Sequence, residues 1–271
     1  MENWWNGALR CPLCRAELDR EGRSLFCKGE RRHCFDLAAQ GYVNLASSRA
    51  SGGGDDAALI AARVAFLANG HYAPIAKRLA QLLAQYAPAG IVVDAGCGEG
   101  YYTNQFAKAH KVFGFDLSKN GVKHAAKQGA REGNDAVFAV SGIFDMPLAD
   151  ASVDAVVSLF APVAAEEFLR VLKPGGVLIL AGAGREHLYS LKKAIYDTPY
   201  YNQERADAPQ NMALLESEIL RFDMTLENAD LQNLFAMTPY FYRTSKEGKE
   251  RLAALSALKV NAEVELAVYQ K

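Results

Sequence analysis

Two groups of residues in this 271-residue chain have the types and spacing that carry chemistry. The first is Asp94-Ala95-Gly96-Cys97-Gly98-Glu99-Gly100, which follows the apolar, β-branched run Ile91-Val92-Val93. A buried strand ending in an acid and alternating glycines makes a turn that takes tight dihedrals and lets a ligand approach without meeting a Cβ. The G-x-G-x-G spacing departs from the G-x-G-x-x-G of dinucleotide sites, which argues against a nicotinamide or flavin. Asp116 comes twenty residues after Gly96, at the end of the next apolar run. There a carboxylate can accept hydrogen bonds from both ribose hydroxyls of a nucleoside. The second group is Cys11-Pro12-Leu13-Cys14, Cys27 and the adjacent pair His33-Cys34. Two short loops with two soft ligands each can close a tetrahedral Zn²⁺ site. Adjacent residues do not both bind easily, so His33 and Cys34 compete for the fourth position.

An acid just before such a glycine turn is the pattern of S-adenosylmethionine-dependent methyltransferases. The elements needed to position it are readable around it. Helices are predicted from Ala57 to Asn69, with Asp55 or Asp56 as cap, and from Ile75 to Tyr86. Strands are predicted over 91–94, 111–116, 136–140, 153–160 and 177–181, with helices over 101–109, from Ser118 to about Gly129, and over 166–172. Alternating strands and helices with short turns imply an α/β fold with a doubly wound, mostly parallel sheet. The loop 141–147 then lies at a carboxyl strand end, with Ile143 or Phe144 as an apolar floor for an adenine. Leu159-Phe160-Ala161-Pro162 lies at the same end, and Asp154 at the opposite one. Ser47 to Asp56, with Gly52-Gly53-Gly54, reads as a mobile loop. Past Gly184 the pattern predicts a helix over 185–196, a polar loop to 210, a strand over 222–226, a helix over 244–258 and a strand over 262–269. Three units are expected: 1–40, a zinc-binding module, which the family resemblance given below makes an RNA-recognition module; 41–89, a connector with helices; and 90–271, the methyltransferase domain.

Half the residues are hydrophobic, enough for a sizeable core. No apolar run is long enough to span a bilayer, and the N-terminus lacks the apolar stretch of a signal peptide, so a cytoplasmic protein without membrane contact is expected. A net charge of −1 provides no global positive field, so any nucleic-acid surface has to be local. Arg10, Arg15, Arg20, Arg23, Lys28, Arg31 and Arg32 form one such basic region, suited to phosphates or to a solvated face. Four of the five cysteines fall in the first 34 residues, a clustering that argues for metal over disulfides. A module this small needs the metal's binding energy to fold.

Taken together, the motifs resemble the 23S ribosomal RNA guanine-N1 methyltransferase family nearly end to end. The resemblance rests on Cys11-Pro12-Leu13-Cys14, Arg32-His33 with Phe35-Asp36, Gly41 to Leu45, Arg63 with Phe66-Leu67, Gly70-His71-Tyr72, Gly96 to Tyr102, Ala161-Pro162, His187-Leu188 and Met237-Thr238-Pro239. It implies a Rossmann-like class I methyltransferase fold behind a small zinc module, and methyl transfer from S-adenosylmethionine to N1 of a guanine in a hairpin loop of 23S rRNA, by a homodimer. It implies Cys11, Cys14, Cys27 and His33 as zinc ligands. The chain departs from the family in a longer gap before His33 and in the extra Cys34, which stays open as a substitute. Cofactor contacts are expected from Asp94, Gly96, Gly98, Glu99, Gly100, Tyr101, Tyr102, Asp116, Phe144, Tyr72 and His187. Guanine N1 carries a proton, so a base is needed; Glu99, Asp145, Glu166, Glu167 and His71 are the nearest candidates by topology. Cys97 is expected to pack against the cofactor. A small-molecule methyltransferase and a non-catalytic RNA-binding module are the competing readings. Asp94→Ala is expected to weaken cofactor binding, measured by calorimetry, while leaving the zinc content unchanged; an equal loss of zinc would mean that the substitution acts on folding.

Overall fold

A strand buried on both faces has to be apolar at nearly every position, and Ile91–Ala95 meets that requirement at the centre of the molecule. In the computed structural model, which describes residues 4–47, 54–203 and 209–271, this segment is β5 of an eight-stranded sheet. The other strands are β4 (Val43–Asn44), β6 (Lys111–Asp116), β7 (Val137–Val140), β8 (Val153–Leu159), β9 (Leu172–Ala183), β10 (Ala213–Glu227) and β11 (Ala257–Gln270). Their order is β10-β11-β9-β8-β5-β6-β7-β4. Six strands run parallel, and β11 and β10 add an antiparallel edge. From β5 the chain winds outward through β6 and β7, then returns to β8 on the other side. That reversal opens a crevice outside the carboxyl ends of the strands.

One face of the sheet is covered by helices. These include α2 (Ala73–Tyr86), α3 (Tyr101–Phe106), α4 (Lys119–Glu132), α6 (Tyr189–Ile195) and α7 (Asn228–Ala236). Among the described residues the other face has only α5 (Ala165–Val171), because the β7–β8 connection contains no helix. The N-terminal module takes the vacant place. Its own sheet is β1 (Leu18–Glu21), β2 (Ser24–Cys27) and β3 (Cys34–Asp36). Trp5, Leu9, Leu18 and Leu25 are buried in one cluster with Val93, Phe113 and Phe115 of the main sheet. The Trp4 ring lies 4.7 Å from that of Phe113. Gly41 to Leu45 packs as expected, and Val43 and Asn44 extend the main sheet beside β7.

Helix α1 (Ala57–Ala68) begins at Asp56, whose side chain accepts from Leu59 N at 2.8 Å, and Ser118 caps α4 in the same way through Gly121 N. Several boundaries differ from the sequence reading. The helix predicted over 101–109 is the shorter α3, and the one predicted over 185–196 starts only at Tyr189, after Leu188 takes a left-handed φ of 57°. The strand predicted over 222–226 is the long β10. Its first half exposes Leu214, Leu215 and Ile219 while Glu216 and Glu218 turn to Arg78, so its apolar alternation is weak. The helix predicted over 244–258 is only α8 (Lys246–Ala253), because β11 begins at Ala257. Helix α7 was not anticipated; Leu231, Leu234 and Phe235, buried at helical spacing, were the available signal. Most of the glycine-rich loop, residues 48–53, lies outside the described residues, as do 204–208 of the polar loop. Leu9 is fully buried at the seam between module and sheet, so Leu9→Ala is expected to cost about 2–5 kcal/mol in chemical denaturation, without altering the zinc ligands themselves.

Candidate active site and metal centre

The glycine turn is stitched to the neighbouring strand by its backbone. Gly96 N and Cys97 N both donate to Phe115 O, at 2.9 and 3.0 Å, and Gly98 N donates to the Asp116 carboxylate at 2.9 Å. The other Asp116 oxygen accepts from Ser118 N at 2.7 Å. Gly96 has a φ of +86°, and a Cβ there would sit 2.7 Å from the Ala161 side chain, so only glycine is accommodated. Gly100 serves packing: a Cβ would meet Ala125 at 2.4 Å.

A cavity of about 1760 Å³ opens over this turn. Much of its wall comes from strand ends: Asp94 and Gly96 at the end of β5, Asp116 at the end of β6, Ser141 to Asp145 after β7, Leu159 to Pro162 at the end of β8, and Gly182 and Ala183 at the end of β9. Of the residues expected at the cofactor, Asp94, Gly96, Gly98, Glu99, Tyr102, Asp116, Phe144, Tyr72 and His187 line it. Gly100 and Tyr101 lie beside the lining, with Tyr101 edge-on to Tyr102. Met237-Thr238-Pro239 also reaches the wall, and Cys97 is buried in it. Asp154, at the opposite end of β8 as expected, receives Ile91 N at 2.8 Å.

The inner end of the cavity is acidic. Asp94, Glu99 and Asp116 are brought together there, and among the described residues Arg63 of α1 is the cation that pairs with them. Arg63 donates to Asp55 at 2.6 Å and to Glu99 at 3.5 Å. Sequence reasoning named Arg63 without a role; a charged residue on the otherwise apolar stripe of Leu59, Ile60 and Leu67 was the signal available. Thr103 Oγ1 donates to Asp94 at 2.6 Å. Burial nevertheless pushes the Asp94 carboxyl up to about 7, and burial raises Glu99 and Asp116 as well. The Tyr102 hydroxyl is buried with no partner among the described residues. Among the described residues the acids of this cluster outnumber the cation paired with them, and an unpartnered hydroxyl lies beside it; that arrangement fits a ligand that is cationic and polar, as S-adenosylmethionine is.

The outer half is aromatic. Tyr72, Phe160 and His187 form one group, with ring centroids 5.4–6.3 Å apart. His187 Nδ1 accepts from Glu263 N at 3.2 Å, which leaves Nε2 to carry the proton, 3.5 Å from the Tyr72 hydroxyl. Burial lowers the His187 pKa to about 4, so this imidazole is neutral at physiological pH. Lys192, fully buried, donates to Tyr200 O and to Asn202 Oδ1 and so holds Tyr200 and Tyr201 at the mouth. Of the five base candidates, Glu99 and Asp145 line the cavity, and each is paired with an arginine. Glu166, Glu167 and His71 do not line it; Glu167 holds Arg170 and Met146 N, and His71 holds Asp230 at 2.7 Å.

In the N-terminal module the ligand atoms of Cys11, Cys14, Cys27 and His33 lie within 4.8 Å of one another. Cys14 and Cys27 Sγ are 3.7 Å apart, and His33 Nδ1 is 3.4 Å from Cys11 and Cys27 Sγ. Tetrahedral zinc with bonds of about 2.3 Å to sulfur requires spacings of this size. The three-sulfur, one-nitrogen set therefore fits Zn²⁺. Cys34 is exposed and turned to Asp36, which decides the fourth position for His33. Part of the module's basic charge is balanced: Arg32 pairs with Glu21 and Lys28 with Glu17 and Asp19 inside the module, and Arg15 pairs with Asp145 of the loop after β7.

Fold and site together define a class I S-adenosylmethionine-dependent methyltransferase carrying an N-terminal zinc ribbon. A family model described as "Methyltransferase domain" matches residues 93–180, and one described as "RlmA, N-terminal" matches residues 9–47. The chain is 33% identical over 263 residues to the 23S rRNA (guanine(748)-N(1))-methyltransferase of Streptomyces fradiae, covering 92% of this chain and 91% of that protein. It is 31% identical over 281 residues to YxjB of Bacillus subtilis, covering 97% of each. The chain belongs to the 23S rRNA (guanine-N1)-methyltransferase family. Among solved structures, the YcgJ protein of Bacillus subtilis shares the fold, with a TM-score of 0.53 at 16% identity over 72% of this chain and 97% of that one.

The raised Asp94 carboxyl has a pH signature. Between its ordinary value of 3.8 and about 7 the folded chain holds a proton that the unfolded chain has released, so cofactor-free stability falls as pH rises through that window. A cationic ligand favours the ionised form. S-adenosylmethionine affinity is therefore expected to increase from pH 5 to about 7, with proton release seen by calorimetry in buffers of different ionisation enthalpy. Asp94→Asn is expected to flatten both trends.

Proposed function

We propose that this protein transfers the methyl group of S-adenosylmethionine to N1 of a guanine in a hairpin loop of 23S rRNA, as a cytoplasmic homodimer whose zinc module contributes to RNA recognition. The observation that carries the reading is the cavity. About 1760 Å³ exceeds the roughly 300–1,000 Å³ of a site for one small ligand, and its two halves differ in character. The acidic end suits the cofactor. The aromatic mouth suits an unstacked base: Phe160, Tyr200, Tyr201 and Tyr242 are all exposed there.

When bound, S-adenosylmethionine supplies a methyl already activated by a positive sulfur. The protein's task is then alignment and exclusion of water. Asp116 would take the ribose hydroxyls on the lone pairs that Gly98 N and Ser118 N leave free. Asp94 and Glu99 would face the cationic part, and Ile143 and Phe144 would flank the adenine. Tyr72 and neutral His187 would offer hydroxyl and Nε2–H donors to the cofactor's carboxylate end. Loop nucleotides are extruded at lower cost than paired ones, which favours a hairpin loop as the target.

Incubation of unmodified 23S rRNA with labelled S-adenosylmethionine and this enzyme, followed by mass-spectrometric mapping, is expected to place one methyl on N1 of a loop guanine. Label in small metabolites with none in RNA would favour the small-molecule reading.

A further inference from the structure

The loop after β7, which lines the cavity through Gly142, Ile143, Phe144 and Asp145, is gripped from both sides. On one side stands α5: Glu167 accepts from Met146 N at 2.5 Å, and Arg170 donates to Met146 O at 3.1 Å and to Leu148 O at 2.8 Å. On the other side stands the metal knuckle. Arg10 N donates to Pro147 O and Ala149 N to Ala8 O, both at 2.8 Å. Arg15, next to the ligand Cys14, donates to Met146 O at 2.8 Å and pairs with the Asp145 carboxylate.

Arg15 reaches this loop only because of the knuckle's backbone. Its φ is 61°, a left-handed conformation costly for a residue with a Cβ. That conformation is held by Arg15 N donating to Cys11 O at 2.9 Å and Cys11 N donating to Ala16 O at 2.8 Å. Cys11 and Cys14 are two of the four zinc ligands, so ligation locks the same turn. We infer that Arg15 is a positioning residue that couples the zinc knuckle to the S-adenosylmethionine site, by holding the Asp145–Met146 segment under Phe144 and Ile143. The zinc module thereby contributes to cofactor affinity as well as to RNA recognition.

The inference rests on the methyltransferase reading of the cavity and is independent of the acceptor. The Arg15–Asp145 pair is about 40% exposed, so its Coulomb contribution is small. The hydrogen bond to Met146 O and the rigid turn behind it set the effect. Arg15→Ala is expected to retain one zinc per chain by atomic absorption and to weaken S-adenosylhomocysteine binding about three- to tenfold by calorimetry. In steady-state assays it raises KM for S-adenosylmethionine by a larger factor than it lowers kcat, and Arg15→Lys recovers part of the loss. Stripping zinc with a chelator weakens S-adenosylhomocysteine binding in the native protein and has a smaller further effect in Arg15→Ala, where the link is already cut. Unchanged S-adenosylhomocysteine affinity in Arg15→Ala would show that the α5 clamp suffices and would overturn the inference. Equal chelation losses in both proteins would also overturn it, as would loss of zinc from Arg15→Ala itself. Because S-adenosylhomocysteine binding involves no acceptor, failure here is distinguishable from failure of the rRNA reading.

Discussion

The structure depends on how the second face of the central sheet is covered. A mostly parallel sheet is apolar on both faces, and water at either one would remove much of the stabilisation of folding. Here the β7–β8 crossover brings no helix, and the apolar residues of β5 and β6 on that side meet Trp4, Trp5, Leu9 and Leu18 of the N-terminal module instead. The module's three strands are too short to fold on their own core, so the Cys₃His cluster supplies what its size cannot. The zinc ribbon is thus a layer of the methyltransferase fold, and the loop that would have led into a helix becomes part of the cavity wall.

The electrostatics of the cavity follow from the sheet topology. Parallel strands bring Asp94 and Asp116 to adjacent carboxyl ends, and the glycine turn adds Glu99. Arg63 balances only part of this charge, and burial raises all three carboxyls. Such a cluster is poorly satisfied without a ligand, and a cationic nucleoside relieves it. The aromatic half has no such acidic cluster among the described residues: Arg243 lines it, His187 is held neutral by burial, and the His187 tautomer is set by Glu263 N. On the proposed reading, one half of the cavity selects by charge and the other by shape and stacking.

The parts legible in the sequence are those that act through local spacing. The alternation of strands and helices, the Asp94–Gly100 turn, Asp116, the Asp56 and Ser118 caps and the C-x-x-C knuckle all express their chemistry over a few residues, so pattern suffices. The late elements were legible only in part. Strand β10 exposes Leu214, Leu215 and Ile219 and turns Glu216 and Glu218 to Arg78, and α7 is a short helix with three buried residues. In both, long-range pairing overrides a weak local signal.

By itself the sequence determined the fold class, the nucleoside-binding turn and three of the four metal ligands, because glycine freedom, strand burial and thiolate spacing are properties of short segments. Only the tertiary structure decided the rest. Backbone pairing within the module orients His33 inward and leaves Cys34 in solvent. Packing turns Gly100 against Ala125 and brings Tyr72 within reach of His187, 115 positions away. Docking of the module across the bare face of the sheet sets Arg15 against Asp145, 130 positions on. These contacts exist only once the sheet has closed, since spacing along the chain carries no information about which distant side chains share a surface.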